Sequence, residues 1–487
     1  MLEFSPAVQI REALSALPPL AAHSTGERLD PSDIFFPISH SAALDPEVTL
    51  VVGNRGMGKS FWASALAHED TRNAISEAYG SHQAGQLQNV DVHFAFADAE
   101  GGGGGVSKRE IASAGSAPIE AIWRAALLRH LAKIVNVAVP RRFSELVKWV
   151  VDNPEEEADI FRLADTQSTR RGRKLLFLFD QLDHLSDSWP SIQALTQGIL
   201  RLALSMKSYR SIKVKIFMRP DQADNKELFR FPDASKVSGT RARLKWRSID
   251  LYGLLFFHLF RDAPQAMTGI MDLLRINADR MHHRLPIPTS IAISPENQNR
   301  LFDHIAGPYM GNNKKRGFTY TWIPLHLADG NDEVSPRTFL KVMKTAGDYM
   351  PPPPDTAINY LGIQQGVREA SENRLSELQE DYPWVSTALD PLRGAVVPCE
   401  VDDVVEKWIQ HSVVEDIRER YRGAQGPLEL EISGNRKDPP YGLLSSLHEI
   451  GVVELRTNGK LNVPDIFRLN AGILRRGGVT PQQRRKL

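Results

Sequence analysis

The chain has 487 residues, a length that predicts roughly two to four domains. Lysine plus arginine and aspartate plus glutamate both number 59, which excludes a globally basic coat for non-specific nucleic-acid binding and leaves room for a local basic surface. A hydrophobic fraction of 42% and a single cysteine, Cys399, exclude a mostly disordered chain, intramolecular disulfides and cysteine-rich zinc modules, and fit a reducing, cytoplasmic setting.

Residues 1–46 read as a loop-rich N-terminal lead-in with turn formers at DPSD and LDP. Glu3, Arg11 and Glu12, with Pro6, Pro18 and Pro19, interrupt any signal-peptide core, so export is not expected. An α/β core is expected over 47–262. Its apolar strand candidates are VTLVV (48–52), VDVHFAF (90–96), KLLFLF (174–179) and KVKIFM (213–218), with helical stretches between them. Strands alternating with helices imply a parallel sheet covered on both faces. The five-glycine run 101–105 reads as a flexible surface loop, since glycine carries the largest ordering cost. The longest apolar run, LYGLLFFHLF (251–260), is too short to cross a bilayer and reads as a buried helix with His258 packed inside it. No membrane span is expected.

Residues 263–350 read as a helical lid. Pro351–Pro354 open a proline-rich linker over 351–363 that no helix can cross. The helical and winged-helix pattern of 364–470 ends in YGLLSSLHEIGVVELRTNGKLNVPDIF, a helix and then a hairpin turning at Asn458 and Gly459. A basic tail, 471–487, follows.

The chemistry concentrates in Gly53–Ser60, GNRGMGKS, which satisfies the phosphate-loop pattern GxxxxGK[ST] between an apolar strand and a helix-forming segment. Glycines 53, 56 and 58 let backbone N–H groups turn inward around phosphate oxygens, and the following helix points its positive end at them. Gly53, Asn54, Arg55, Gly56, Met57, Gly58, Lys59, Ser60 and Phe61 are therefore the candidate ATP-binding residues. Lys59 should reach the β- and γ-phosphates, and the Ser60 hydroxyl should ligate Mg²⁺ together with a carboxylate on a neighbouring strand.

Asp180, which ends the most hydrophobic strand in KLLFLFDQLDHL, is that carboxylate, although a helix N-cap would use the same residue type. Gln181 follows it. A carboxamide can orient a water but cannot accept its proton, so either hydrolysis is slow or Asp183 supplies the base; a capping role for Asp183 is also open. The next strand ends at Arg219 in MRPDQ, a fixed cation placed to sense the γ-phosphate, or else a surface arginine paired with Asp221.

The order phosphate loop, second strand, acidic strand, sensor strand resembles the additional-strand ATPases, specifically the AAA+ and STAND group, over residues 47–350. FLFDQLD resembles the Walker B segment of STAND and origin-recognition type ATPases, and KIFMRPD resembles the STAND sensor strand. SPRTFLKVMKTAG resembles the sensor 2 segment of the helical lid, which implies a nucleotide-directed role for Arg337 with Pro336 shaping the turn. The expected fold is thus α/β, a parallel P-loop NTPase sheet with a helical lid and a C-terminal winged-helix domain.

The expected function is an ATP- and Mg²⁺-dependent switch ATPase acting on a protein partner, of the kind found in prokaryotic antiviral defence. The alternative is a DNA-binding initiator, loader or transposition regulator. The resemblance admits a homo-oligomer, although no arginine finger stands out. Duplex DNA could be met by the tail, which holds Arg475, Arg476, Arg484, Arg485 and Lys486 and no acidic residue. The helix YGLLSSLHEIG, by contrast, has no lysine or arginine with which to read a groove. Lys314, Lys315 and Arg316 read as a solvated basic loop, and Glu155–Glu157 before TRRGRK as a charged surface connection. GxSxG and HExxH are absent, and His282 with His283 has no zinc-spaced partner.

Overall fold

The computed structural model describes residues 5–18, 26–80, 83–97, 104–277, 287–422, 426, 427, 430 and 438–475. It divides the chain into two compact units, 22–244 and 1–21 with 245–487.

The first unit is built on five parallel strands, β1 (Leu50–Val52), β2 (Val90–Phe96), β3 (Lys174–Phe179), β4 (Ile212–Met218) and β5 (Arg241–Arg243), in the spatial order β2-β3-β4-β1-β5. β3 lies at the interior of the sheet, and Leu175 to Phe179 are all buried. At about 2 kcal/mol for each large side chain withdrawn from water, this strand alone strongly favours the sheet. β5 is the strand that apolar patterning does not reveal. Its sequence Arg-Ala-Arg buries only the central alanine and lies at the sheet edge beside β1.

Five helices of this unit matter below: α1 (Lys59–Ala67), α2 (Glu69–Tyr79), α3 (Ile119–Ile134), α4 (Pro154–Arg170) and α5 (Trp189–Met206). Trp123 of α3 meets Phe96 and Phe179 edge-on, at 6.2 and 5.6 Å between ring centres, and gives its indole N–H to the Leu195 carbonyl at 2.9 Å. This approach of α3 to α5 requires Gly198, where a Cβ would stand 2.3 Å from Ile119 Cγ2. Glu155–Glu157 form the first turn of α4, a favourable place for acids. Glu157 is not a surface charge: it is 3% exposed and held by both arms of Arg124 at 2.8 and 2.6 Å.

The five-glycine run also differs from expectation at its end. Gly105 presses against β2, where a Cβ would be 3.2 Å from both Ala97 N and Phe94 Cβ, and Val106 then donates to the Ala95 carbonyl. Residues 101–103 of the run lie outside the described residues.

Lys215, in the middle of β4, has no exposed surface. Its ammonium donates to the carbonyls of Ala43 (2.8 Å), Asp45 (2.8 Å) and Val48 (2.7 Å), the segment that leads into β1. Burial pushes its pKa down to about 7, yet three acceptors match the three protons of the charged form.

The second unit contains the apolar helix α6 (Ser248–Asp262), with His258 buried as expected and its pKa lowered by burial to about 4. Tyr252 of α6 stacks on Tyr320 of α7 (Thr319–Leu327), 4.1 Å between ring centres. Lys314–Arg316 form a short exposed turn. The lead-in is not all loop: Pro6–Ser15 is a helix with Ile10, Ala13 and Leu14 buried. It packs on α8 (Pro336–Asp348) at Gly347, where a Cβ would be 3.0 Å from Leu14 Cβ.

Pro351–Pro354 interrupt the helices as expected, but the chain after them folds back. α9 (Tyr360–Asp381) lies against α8, with Gly366 so close that a Cβ would be 2.7 Å from the Val342 carbonyl oxygen. The prolines thus make a turn between two packed helices of one unit. Stiffness prevents helix continuation and does not prevent apolar faces on either side from finding each other.

The winged-helix arrangement comprises α10 (Val401–Gln410), α11 (Val413–Arg420) and α12 (Pro439–Glu449), then a hairpin of β6 (Glu454–Leu455) and β7 (Leu461–Asn462) turning through Gly459 at φ +79°. A bridge between Cys399 and Leu461 adds the segment preceding α10 to the hairpin. α13 (Asp465–Ala471) packs on α9, where the Asn470 N–H donates to Ser371 Oγ at 3.1 Å. No helix among the described residues is long and apolar enough to cross a membrane.

Candidate nucleotide site

β1 ends at Val52 and α1 begins at Lys59, so GNRGMG forms the turn between them. Gly56 and Gly58 take φ of +82° and +100°, conformations that a side chain would strain, and Gly58 is the N-cap of α1. The loop is anchored at three points. The Gly53 N–H donates to the Met218 carbonyl of β4 (3.1 Å), Met57 N–H donates to Asn54 O (3.3 Å), and Met57 is buried beside Gly53. The Lys59 ammonium donates to the carbonyls of Gly53 (2.8 Å) and Asn54 (3.2 Å), inside its own loop. Ser60 and Phe61 open α1, with the Phe61 ring edge-on to buried Trp62 at 5.1 Å. A helix start with inward amides and a lysine is a ready anion cradle.

Asp180 follows β3 directly and is 1% exposed. Its N–H donates to the Phe96 carbonyl. The acidic strand is not adjacent to the phosphate-loop strand, however: β4 lies between β1 and β3. The sensor strand therefore borders both, and Arg219 at its end stands between the two. Gln181 is left-handed at φ +58°, ψ +43°, a conformation costing on the order of 1 kcal/mol for a residue with a side chain, and such strain concentrates at functional turns.

Arg219 is ion-paired with Asp183, and His184 lies 3.6 Å from the same carboxylate oxygen. Burial alone would raise the pKa of Asp183, but the charges of Arg219, His184 and Lys59 outweigh it and hold the carboxylate below its usual range. The influence of Lys59 on Asp183 ties the phosphate loop electrostatically to the acidic turn. The pairing of Arg219 with Asp183 joins residues 36 apart and has no signal in local sequence.

Lys59, Asp183 and Arg219, beside Asp180, thus gather where β1, β3 and β4 end, the place at which parallel sheets bind ligands. The first unit is an α/β fold whose parallel sheet carries a phosphate-loop turn at the end of β1. Pro336 and Arg337 belong to the second unit, where Pro336 starts α8 and Arg337 Nη1 donates to Glu377 Oε1 at 3.0 Å.

No protein-family profile matches the chain, and no curated protein matches it significantly. Among solved structures, it is similar to a Walker-type ATPase of Pyrococcus abyssi, PABY2304, at 12% identity and a TM-score of 0.40, covering 93% of this chain and 97% of that one. Cdc6p of Pyrobaculum aerophilum aligns at 13% identity and a TM-score of 0.29, covering 91% and 92%. The ORC2 protein of Aeropyrum pernix aligns at 12% and 0.28, covering 87% and 85%.

Proposed function

We propose that the protein is an ATP-binding, slowly hydrolysing switch ATPase that controls a macromolecular partner through its winged-helix module. The observation that carries this reading is the linked set of Lys59, Asp183 and Arg219 beside Asp180, all within the first unit. The residues present fit ATP with Mg²⁺: the loop offers amides and a lysine to phosphate, and the Ser60 hydroxyl and Asp180 carboxylate are the oxygen donors that a hard divalent cation takes. Mg²⁺ would supply charge neutralisation between the β- and γ-phosphates.

Arg219 is the switch element in this reading. A γ-phosphate competes with Asp183 for the guanidinium, so ATP and its hydrolysis product leave Arg219 and Asp183 differently engaged. Gln181 cannot accept a proton, and the depressed pKa of Asp183 makes it a weak base. Both features support slow turnover. Asp183→Asn should lower turnover much more than ATP affinity, checked by single-turnover hydrolysis beside equilibrium binding; unchanged turnover would remove Asp183 from the chemistry. The antiviral-defence role rests on the likeness of FLFDQLD and KIFMRPD to STAND segments.

The winged helix favours a second reading, an ATP-dependent initiator or loader on duplex DNA. Its hairpin carries Arg456 and Lys460, although Lys460 is paired with Glu400 at 2.8 Å. Of the basic tail, Arg475 is engaged with Asp465 at 3.2 Å, and residues 476–487 lie outside the described residues. Steady-state hydrolysis measured with and without duplex, at two salt concentrations, separates the readings. Stimulation that fades with salt identifies DNA as the partner. A low rate indifferent to DNA leaves a protein partner, and no hydrolysis under any condition would overturn the ATPase reading.

A further inference from the structure

The geometry points to a second anion site in the first unit, separate from the phosphate loop, that takes a small phosphorylated ligand on Arg72, Arg171 and Arg173. These residues, with Asp91, His93 and Ser168, line a cavity of about 290 Å³. They come from four places: Arg72 from α2, Asp91 and His93 from β2, Ser168 from the last turn of α4, and Arg171 and Arg173 from the connection to β3. The cavity opens at the N-terminal ends of β2 and β3, whereas the nucleotide cluster lies at the C-terminal ends. Along β3 that separation is about 16 Å.

Three guanidinium groups and one carboxylate, Asp91, line the cavity, and Glu69 lies close enough to act on Arg72 and Arg173. Arg173 is held by Asp91 in a two-armed pair, one arm at 2.8 Å. Arg72 is 7% exposed and spends one nitrogen on the Leu66 carbonyl at 2.9 Å, while its Nε is buried with no hydrogen-bond partner among the described residues. The guanidinium of Arg72, one of the residues lining the cavity, adds to its positive field. The Arg171 side chain is exposed and has no ion-pair partner among the described residues. His93 lies 4.8 Å from His130, ring to ring, and burial lowers the pKa of both, His130 to about 3. His93 is thus a neutral residue of the wall.

Guanidinium forks match the oxygens of phosphate, and a cavity of this size accommodates phosphate with only a small organic body. The ligand is therefore inorganic phosphate or a small phosphomonoester. The test uses the full chain carrying Lys59→Ala, which disables the phosphate loop, titrated calorimetrically with inorganic phosphate and, separately, glycerol 3-phosphate. Saturable binding of either probe at one equivalent is expected, and the tighter probe identifies the source. Adding Arg171→Ser, an exposed position whose loss spares the fold, should weaken binding by about 10-fold or more; Arg72→Met should do the same. Absence of binding by both probes in Lys59→Ala, or equal binding after Arg171→Ser, overturns the proposal.

Discussion

Lys59→Ala should lower ATP affinity by on the order of 100-fold or more, and the protein should remain folded. Charge-assisted hydrogen bonds to phosphate are about twice as strong as neutral ones, and the loop sequence GNRGMGKS holds no second lysine. The fold should survive because the ammonium bonds to the carbonyls of Gly53 and Asn54 within its own loop, and its loss leaves the anchors at Met218 and Met57 intact. Titration of a fluorescent ATP analogue gives the affinity, and circular dichroism gives the fold. Undiminished affinity would remove the phosphate loop from nucleotide binding and the switch reading with it.

Lys215→Met should destabilise the first unit by about 2–4 kcal/mol without touching a nucleotide contact. The substitution keeps the length of the side chain but strands the carbonyls of Ala43 and Val48, each worth roughly 1–3 kcal/mol when buried and unmet, while the Asp45 carbonyl keeps the Val48 N–H at 3.0 Å. Relief of the buried charge returns part of that cost, hence the lower total. Urea unfolding should show an earlier midpoint. ATP affinity should also fall modestly, because the bonded segment is the one that delivers the chain to β1 and the phosphate loop. A midpoint unchanged within about 0.5 kcal/mol would mean that the segment is held by packing alone.

Sequence patterning is sufficient where apolar residues dominate a strand. VDVHFAF and KLLFLF match β2 and β3 residue for residue, and GNRGMGKS falls at the strand-to-helix turn as its chemistry demands. It fails where burial is bought by a distant partner. Lys213 and Lys215 look alike in KVKIFM, yet Lys213 pairs with Glu47 near the surface and Lys215 is sealed under three carbonyls roughly 170 residues away in the chain. Glu157 reads as solvent-facing until Arg124 is placed beside it, and Arg-Ala-Arg carries no apolar strand signal until β1 offers it an edge. The pair of Arg219 with Asp183, and the gathering of Arg72 with Arg171 and Arg173, join separate elements of the sheet and its covering helices. Such sites are properties of the topology, and no local spacing announces them.

The close fit of α9 on α8 has a mechanical consequence. With 22 residues, α9 is about 33 Å long, and α8 holds it along most of that length, from Gly362 and Gly366 to the Arg337–Glu377 pair at 3.0 Å, while α13 of the winged-helix region rests on it at Ser371. The two helices therefore move as one rigid lever. A rotation of α8 by about 10° would sweep the far end of α9 through about 6 Å, enough to move a neighbouring side chain by a full turn of helix. Because Gly362 and Gly366 leave no slack between the two helices, little of that rotation would be absorbed at the fulcrum.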